Sequence, residues 1–404
     1  MIRRVIVLTL GDIRLTPEAS KPLDFSLRKF SCQVSKLAIE SRSTHIVTVM
    51  LRHDFYKVAR LPPEIASEAP FNVFSRKLLW LSVFWLWTLS IGAMAAEPEK
   101  LNAGYSIYSG MTAPLWTSKE PGLFEKNGLN VQLIFLKGGT EAAQALITGD
   151  IPFAMTGGSG VISSHLAGSG TMILAGLENE ILFKFVTARE IISPDKLRGQ
   201  KLGVASLGGS TYLATLRVLQ HFALKPSDVT ILAIGNAPTR LTAVQSGSIQ
   251  GAVLLPPETL VAKKLGLNLL LDLGSLGVEF QNAAIAAGRD VVEKKPDLAR
   301  RFIKALVEGI QVYKTDKEFG LKVLRKYLRT SDSEVIEETY NFYVDKVARK
   351  PYPTLKGIQA VLSELAVRNP RAKEAQPAEF VNVNFLKELD DSGYIDRLYK
   401  TSGR

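Results

Sequence analysis

From residue 97 onward the chain alternates between two hydrophobic periods. Apolar runs of strand length at 101–107, 129–135, 153–156 and 171–177 are separated by segments with helical spacing at 113–120, 140–148 and 160–167. Strands joined by crossover-length helices predict an α/β protein whose largely parallel sheet is covered on both faces. Past residue 289 the strand signal stops. Amphipathic helical patterns then follow at 295–313, 315–327, 332–347, 353–369 and 383–399, with Arg and Lys on their outer sides, and read as packing and cover.

The first half of this pattern recurs. The segment Glu141-Ala-Ala-Gln-Ala-Leu-Ile-Thr-Gly-Asp-Ile-Pro-Phe-Ala aligns without gaps with Thr239-Arg-Leu-Thr-Ala-Val-Gln-Ser-Gly-Ser-Ile-Gln-Gly-Ala, 98 positions later. Each copy is a helix closed by a glycine, then a strand that opens into a turn: Gly157-Gly158-Ser159-Gly160 in one, Pro256-Pro257-Glu258 in the other. Two similar lobes follow, 96–186 with 288–404 and 187–287, with crossings near Val186-Thr187-Ala188 and Ala286-Ala287-Gly288. In open parallel sheets ligands sit beyond the carboxyl ends of strands, so both turns should face one cleft.

A third stretch has the same form. Lys201-Leu-Gly-Val-Ala-Ser206-Leu-Gly208-Gly209-Ser210-Thr211 runs into a helical pattern at 212–224 and reads as strand, tight turn and helix. Ser210 or Thr211 should lie at the N-cap, beside unpaired N–H groups and the positive end of the helix dipole. Gly208 and Gly209 would let a carboxylate, sulfonate or phosphate approach the backbone. The simpler reading is that the glycines only make the turn and Ser210 only caps the helix. The spacing fits neither a phosphate-binding P-loop nor a dinucleotide fingerprint.

Charge and cysteine content narrow the classes. The net charge is +11, but residues 1–95 hold 13 Lys and Arg against 7 Asp and Glu, which leaves the remainder at +5. Those charges are scattered, so the basic balance gives no footprint for nucleic acid. Cys32 is the only cysteine, which excludes an intramolecular disulfide, a thiolate metal cluster and a Cys nucleophile elsewhere. His165 and His221 fall inside helical patterns and read as ordinary histidines.

Near residue 75 the pattern changes. Arg76-Lys77, an apolar run at 78–91 and Ala93-Met94-Ala95 before Ala96 have the order and lengths of a secretory signal peptide, cleaved after Ala95. A retained anchor is the alternative, but the run is short for a membrane span. Residues 1–74 lack sustained periodicity and do not read as a domain, and translation from near Val73 would put the leader at the N-terminus. No cysteine stands at the cleavage site, so the exported protein would not be a lipoprotein.

Pro121-Gly-Leu-Phe-Glu-Lys-Asn-Gly-Leu-Asn-Val, Gly138-Gly139, Ala145-Leu-Ile-Thr-Gly-Asp-Ile, Pro194-Asp-Lys-Leu-Arg-Gly-Gln-Lys-Leu-Gly-Val and Ala243-Val-Gln-Ser-Gly-Ser-Ile together resemble the solute-binding proteins of nitrate/sulfonate/taurine-type ABC importers. The resemblance runs from about residue 101 to about 306. It implies a type II periplasmic binding fold of two α/β lobes closing over a small ligand, with a helical C-terminal region. It also implies a periplasmic monomer that delivers a small organic anion to an inner-membrane permease and its ATPase. Carried over by position, its ligand contacts are Tyr108, Ser109, Met111, Gly139, Thr140, Gly158, Ser159 and the stretch from Ser206 through Gly208, Gly209 and Ser210 to Thr211. The second-lobe turn adds Pro256 and Glu258.

Tyr108 and Met111 would offer apolar contact and the hydroxyls and amides a donor-rich wall. Alternatively the hydroxyls only cap helices and a neutral ligand rests on Met111, Tyr108 and Pro256-Pro257. No Trp or Arg stands in these turns to name a sulfonate, and no metal-binding His/Glu set and no cofactor are expected. The same superfamily holds enzymes of thiamine-pyrimidine and menaquinone-precursor synthesis, so catalysis is the alternative function. Only Glu258, Glu178 or Glu180 would then qualify as a base.

Overall fold

The computed structural model describes residues 97–401, so the expected extension at 1–74 and the leader at 75–95 lie outside the described residues. Within them the strands are β1 (Glu99–Tyr105), β2 (Leu129–Phe135), β3 (Phe153–Gly157), β4 (Met172–Glu180) and β5 (Lys184–Thr187), then β6 (Lys201–Val204), β7 (Thr230–Ala233), β8 (Gly251–Leu254), β9 (Asn268–Asp272) and β10 (Glu279–Ala287). They make two sheets of identical order, β2-β1-β3-β10-β4 and β7-β6-β8-β5-β9. One copy of the sequence repeat ends on β3 and the other on β8, and both strands are buried along their whole length.

The sheets are not wholly parallel. β1 pairs in parallel with β2 and β3, and β6 with β7 and β8, but β10 runs antiparallel to β3 and β4 and β5 antiparallel to β8 and β9. The reason is the path of the chain. It leaves the first sheet at the carboxyl end of β4 and returns near that end as β10, so the returning strand must point the other way. The crossings between sheets therefore lie at 181–183 and 273–278. The expected boundaries near Val186-Thr187-Ala188 and Ala286-Ala287-Gly288 fall inside β5 and β10. An apolar run interrupted only by Lys184, with Ile181, Leu182, Phe183, Phe185 and Val186 all buried, gives no turn signal at the crossing.

The core of the first sheet is aromatic. Phe302, on the helix Pro296–Thr315, stacks on Phe153 at 4.1 Å and lies 5.0 Å from Phe124. That helix meets the helix Ala113–Lys119 backbone to backbone: Thr117 Oγ1 donates to the Gly309 carbonyl at 2.8 Å, and a Cβ on Gly309 would fall 2.0 Å from Ser118 Oγ. Asp316, Asp332 and Thr354 cap the helices that follow, their side chains accepting from Phe319, Val335 and Gly357 amides. The pattern expected as one helix at 383–399 is two, Asn384–Asp391 and Tyr394–Thr401, because Gly393 between them turns left-handed at φ 67°.

Candidate ligand-binding cleft

The turns at the carboxyl ends of β1, β3, β6 and β8 converge on one small cavity of about 60 Å³. Space of that size exceeds what one water needs, so the cavity can admit a small solute. Its walls come from both sheets and already touch. Ser159 Oγ lies 3.2 Å from Ser210 Oγ, and Thr140 Oγ1 donates to the Leu207 carbonyl at 3.2 Å. Glycines permit this approach: a Cβ on Gly157 would stand 2.3 Å from Ser210 Oγ, and one on Gly138 2.9 Å from Ser206 Oγ.

Most residues named from sequence gather here, in differing roles. Tyr108, Ser109, Gly139, Ser206, Gly209, Ser210 and Thr211 line the cavity. Thr140 and Ser159 join the two walls, as above, while Gly158 packs against Gln281. Gly208 supplies the left-handed turn at φ 82°. Pro256 lends its carbonyl to the Gly110 amide and the Tyr343 hydroxyl. Met111 is completely buried beneath the first turn and presents no surface to the cleft.

The cap also differs from expectation, since Gly209 is the N-cap of the helix Ser210–His221 and neither Ser210 nor Thr211 caps it. Thr211 Oγ1 instead accepts from the Ala205 amide at 2.9 Å and braces the turn. Ser210 and Thr211 contribute the first amides of that helix, which have no carbonyl within the helix to bond.

The principal charge in the cleft was not read from sequence. Arg240, on the helix Ala237–Gln245, is 4% exposed and lines the cavity. Its guanidinium donates to the carbonyls of Gly235 and Val253, and its Nε has no partner. Ala237, Arg240, Leu241 and Val244 share the buried stripe of this helix at spacings of three, four and seven. A cation on such a stripe was the available signal. Asn236, which caps the same helix through Thr239, and Asn282 on β10 complete the polar wall, and no motif marked either.

Behind the wall sit two protonated carboxyls. Burial pushes Glu258 up to about 8, opposed by its own backbone amide and by Arg240, and pushes Arg240 down to about 10, opposed by Glu258. Burial likewise raises Glu178 to about 8, opposed by Asn282 nearby, although neither side chain meets hydrogen-bond geometry. At neutral pH both carboxyls are therefore mostly protonated, which leaves Arg240 its positive charge. The C-terminal helices reach the cleft too: Tyr108 donates to the Tyr327 carbonyl at 3.1 Å and Tyr343 to that of Pro256 at 3.3 Å.

Residues 110–318, just over half of the chain, match the family model described as NMT1/THI5 like, and the chain belongs to that family. The taurine-binding periplasmic protein of Escherichia coli (strain K12) is 26% identical over 241 residues, 58% of this chain and 73% of that protein. A solved protein from Bordetella bronchiseptica RB50 superposes with a TM-score of 0.67 at 19% identity, over 73% of this chain and 98% of that one. The alkanesulfonate-binding protein SsuA from Xanthomonas axonopodis pv. citri, solved with MOPS bound, gives 0.57 at 17% identity, over 70% and 96%. The fold is that of the periplasmic binding proteins, two α/β lobes with a cleft between them and a helical C-terminal region. Among the described residues no helix is long and apolar enough to cross a membrane, and no cluster of His, Cys, Asp or Glu is placed to hold a metal ion.

Proposed function

We propose that this member of the NMT1/THI5-like family is the solute-binding component of an ABC importer, and that it captures a small organic anion, a sulfonate or carboxylate, between its two sheets. The observation that carries the reading is Arg240: a buried guanidinium with an unpartnered Nε in a cavity walled by helix-first amides, hydroxyls and carboxamides. Such a wall has donors in excess and asks for negative charge. Names among the relatives, taurine and alkanesulfonate binders, support the class. Each charge-assisted bond is worth about 1.5–3 kcal/mol net. Two or three of them, with some apolar burial, give about −8 kcal/mol, or micromolar affinity, which suits capture followed by release to a permease.

The two sheets act as lobes that hinge at 181–183 and 273–278. Export through the leader, cleaved after Ala95, brings the protein to the periplasm and its permease, where it works as a monomer. The test is titration calorimetry of the purified protein with methanesulfonate, taurine, acetate and benzoate. At least one should bind with micromolar affinity and lose it in Arg240→Gln. Retained affinity in a folded Arg240→Gln protein would remove the anion reading.

A further inference from the structure

We propose that the ligand is an aromatic anion carrying a second acidic group, with its ring held in a separate chamber at the mouth of the cleft. The inference rests on the anion reading of the inner cavity and extends it. Beside that cavity lies a second one of about 450 Å³, and Tyr108 and Asn236 line both, so the two adjoin. A ligand whose head group sits in the inner pocket on Arg240 would extend the rest of its body toward the outer one.

The outer chamber is built to receive a ring. Tyr105, Phe135 and Tyr108 form an edge-to-face series on one side, with centroids 5.4 and 6.0 Å apart. They are fixed before any ligand arrives: Tyr108 is anchored on the Tyr327 carbonyl, and Tyr327 is stacked on the buried Trp116 at 4.7 Å. Pro238, on the helix Ala237–Gln245, also lines it. Rigid aromatic walls favour a planar body over a flexible alkyl chain, because the stacking geometry is already set.

At the rim of this chamber stands Arg329, exposed and in no ion pair among the described residues. Lys326 beside it is taken by Glu120 at 2.6 Å. Arg329 follows the helix Lys317–Leu328 in the left-handed region, φ 50° and ψ 40°, where glycine is the ordinary residue. A non-glycine residue in that region is strained, and the Arg329 guanidinium lies in the field of Tyr105 and Tyr108. Arg240 takes the head group, the aromatic walls take the ring, and Arg329 takes the second anion.

The experiment is calorimetry of the purified protein with methanesulfonate, benzenesulfonate and the 2-, 3- and 4-sulfobenzoates. Benzenesulfonate should bind at least about tenfold more tightly than methanesulfonate, and one sulfobenzoate isomer about fivefold or more beyond benzenesulfonate. Phe135→Leu should reduce the first gain, and Arg329→Gln should abolish the second. Arg329→Gly separates binding from folding: it relieves the left-handed strain and should raise Tm while losing the same increment. Equal affinity for methanesulfonate and all the aryl probes would overturn the chamber and leave the anion reading standing. No binding by any of the five, nor by taurine, acetate or benzoate, would overturn both.

Discussion

Arg240 and Glu258 make affinity for an anion depend on pH in a calculable way. At pH 7 Glu258, raised to about 8, holds its proton, and Arg240, lowered only to about 10, holds its charge. The pair presents +1 to the ligand. Above pH 8 Glu258 ionises and the pair approaches zero. Since the bound anion favours the protonated carboxyl, binding takes up a proton, and affinity should fall up to about tenfold per pH unit, about 1.4 kcal/mol.

Glu258→Gln should keep the pH 7 affinity within about twofold and abolish the decline between pH 7.5 and 8.5, below the range in which Arg240 begins to lose its charge. Arg240→Gln should lower affinity at every pH by on the order of 2–5 kcal/mol, because the anion then enters a buried site without its countercharge. Tyr108 and Tyr343, also near Glu258, are raised by burial and stay neutral over this range, while Glu178 titrates near 8 and calls for Glu178→Gln as a control. Calorimetry in buffers of differing ionisation enthalpy reads both the affinity and the proton uptake. A flat profile in the unmodified protein, or a decline that survives in Glu258→Gln, would refute the reasoning.

The same two carboxyls set the stability of the protein without ligand. Their folded values lie above the ordinary carboxylate value of 4.5, so their contribution is complete below that value and is lost as pH rises toward 8. Thermal unfolding should show a lower Tm at pH 8 than at pH 5, and the Glu178→Gln, Glu258→Gln double variant should flatten the difference. Gly157→Ala places a methyl against Ser210 and should weaken binding about tenfold while leaving the fold intact, since what it blocks is the meeting of the two walls. Thr211→Ala removes the acceptor of the Ala205 amide and should cost about 1 kcal/mol of stability with little change in affinity. Phe302→Ala, in the stack on Phe153, should cost about 3–5 kcal/mol by denaturant unfolding. Glu364→Gln breaks the pair with Arg217 that ties a second-sheet helix to one packed on β10, and should enlarge the radius of gyration in X-ray scattering by favouring the open form.

What could be read from the sequence was local. The two hydrophobic periods gave the strands β1 to β4 and the helices between them, and β6 and β8 were read from their turns, but β5, β7, β9 and β10 were not read. The gapless repeat foretold that one plan is used twice, as the matching strand orders show. The glycines at 157 and 138 were visible as turns because backbone approach requires them. What stayed hidden depends on distant partners. Nothing in the segment 181–187 records that β4 and β5 belong to different sheets, since a buried strand reads as apolar whichever neighbour it has. Met111 resembled a ligand contact because its turn is at the cleft, yet its side chain points into the core. Arg240 is separated from Ser210 and Gly157 by whole elements, and only the fold assembles them.

The exchange of strands between the sheets bears on how the chain is made. β10 fills the position between β3 and β4, so a ribosome that has released β4, ending at Glu180, has produced a first sheet with a gap in its middle. That gap closes only when synthesis passes Ala287, after the whole second sheet has emerged. The N-terminal half thus remains incomplete for most of translation, and its sheet is completed only by a strand from the chain's third quarter.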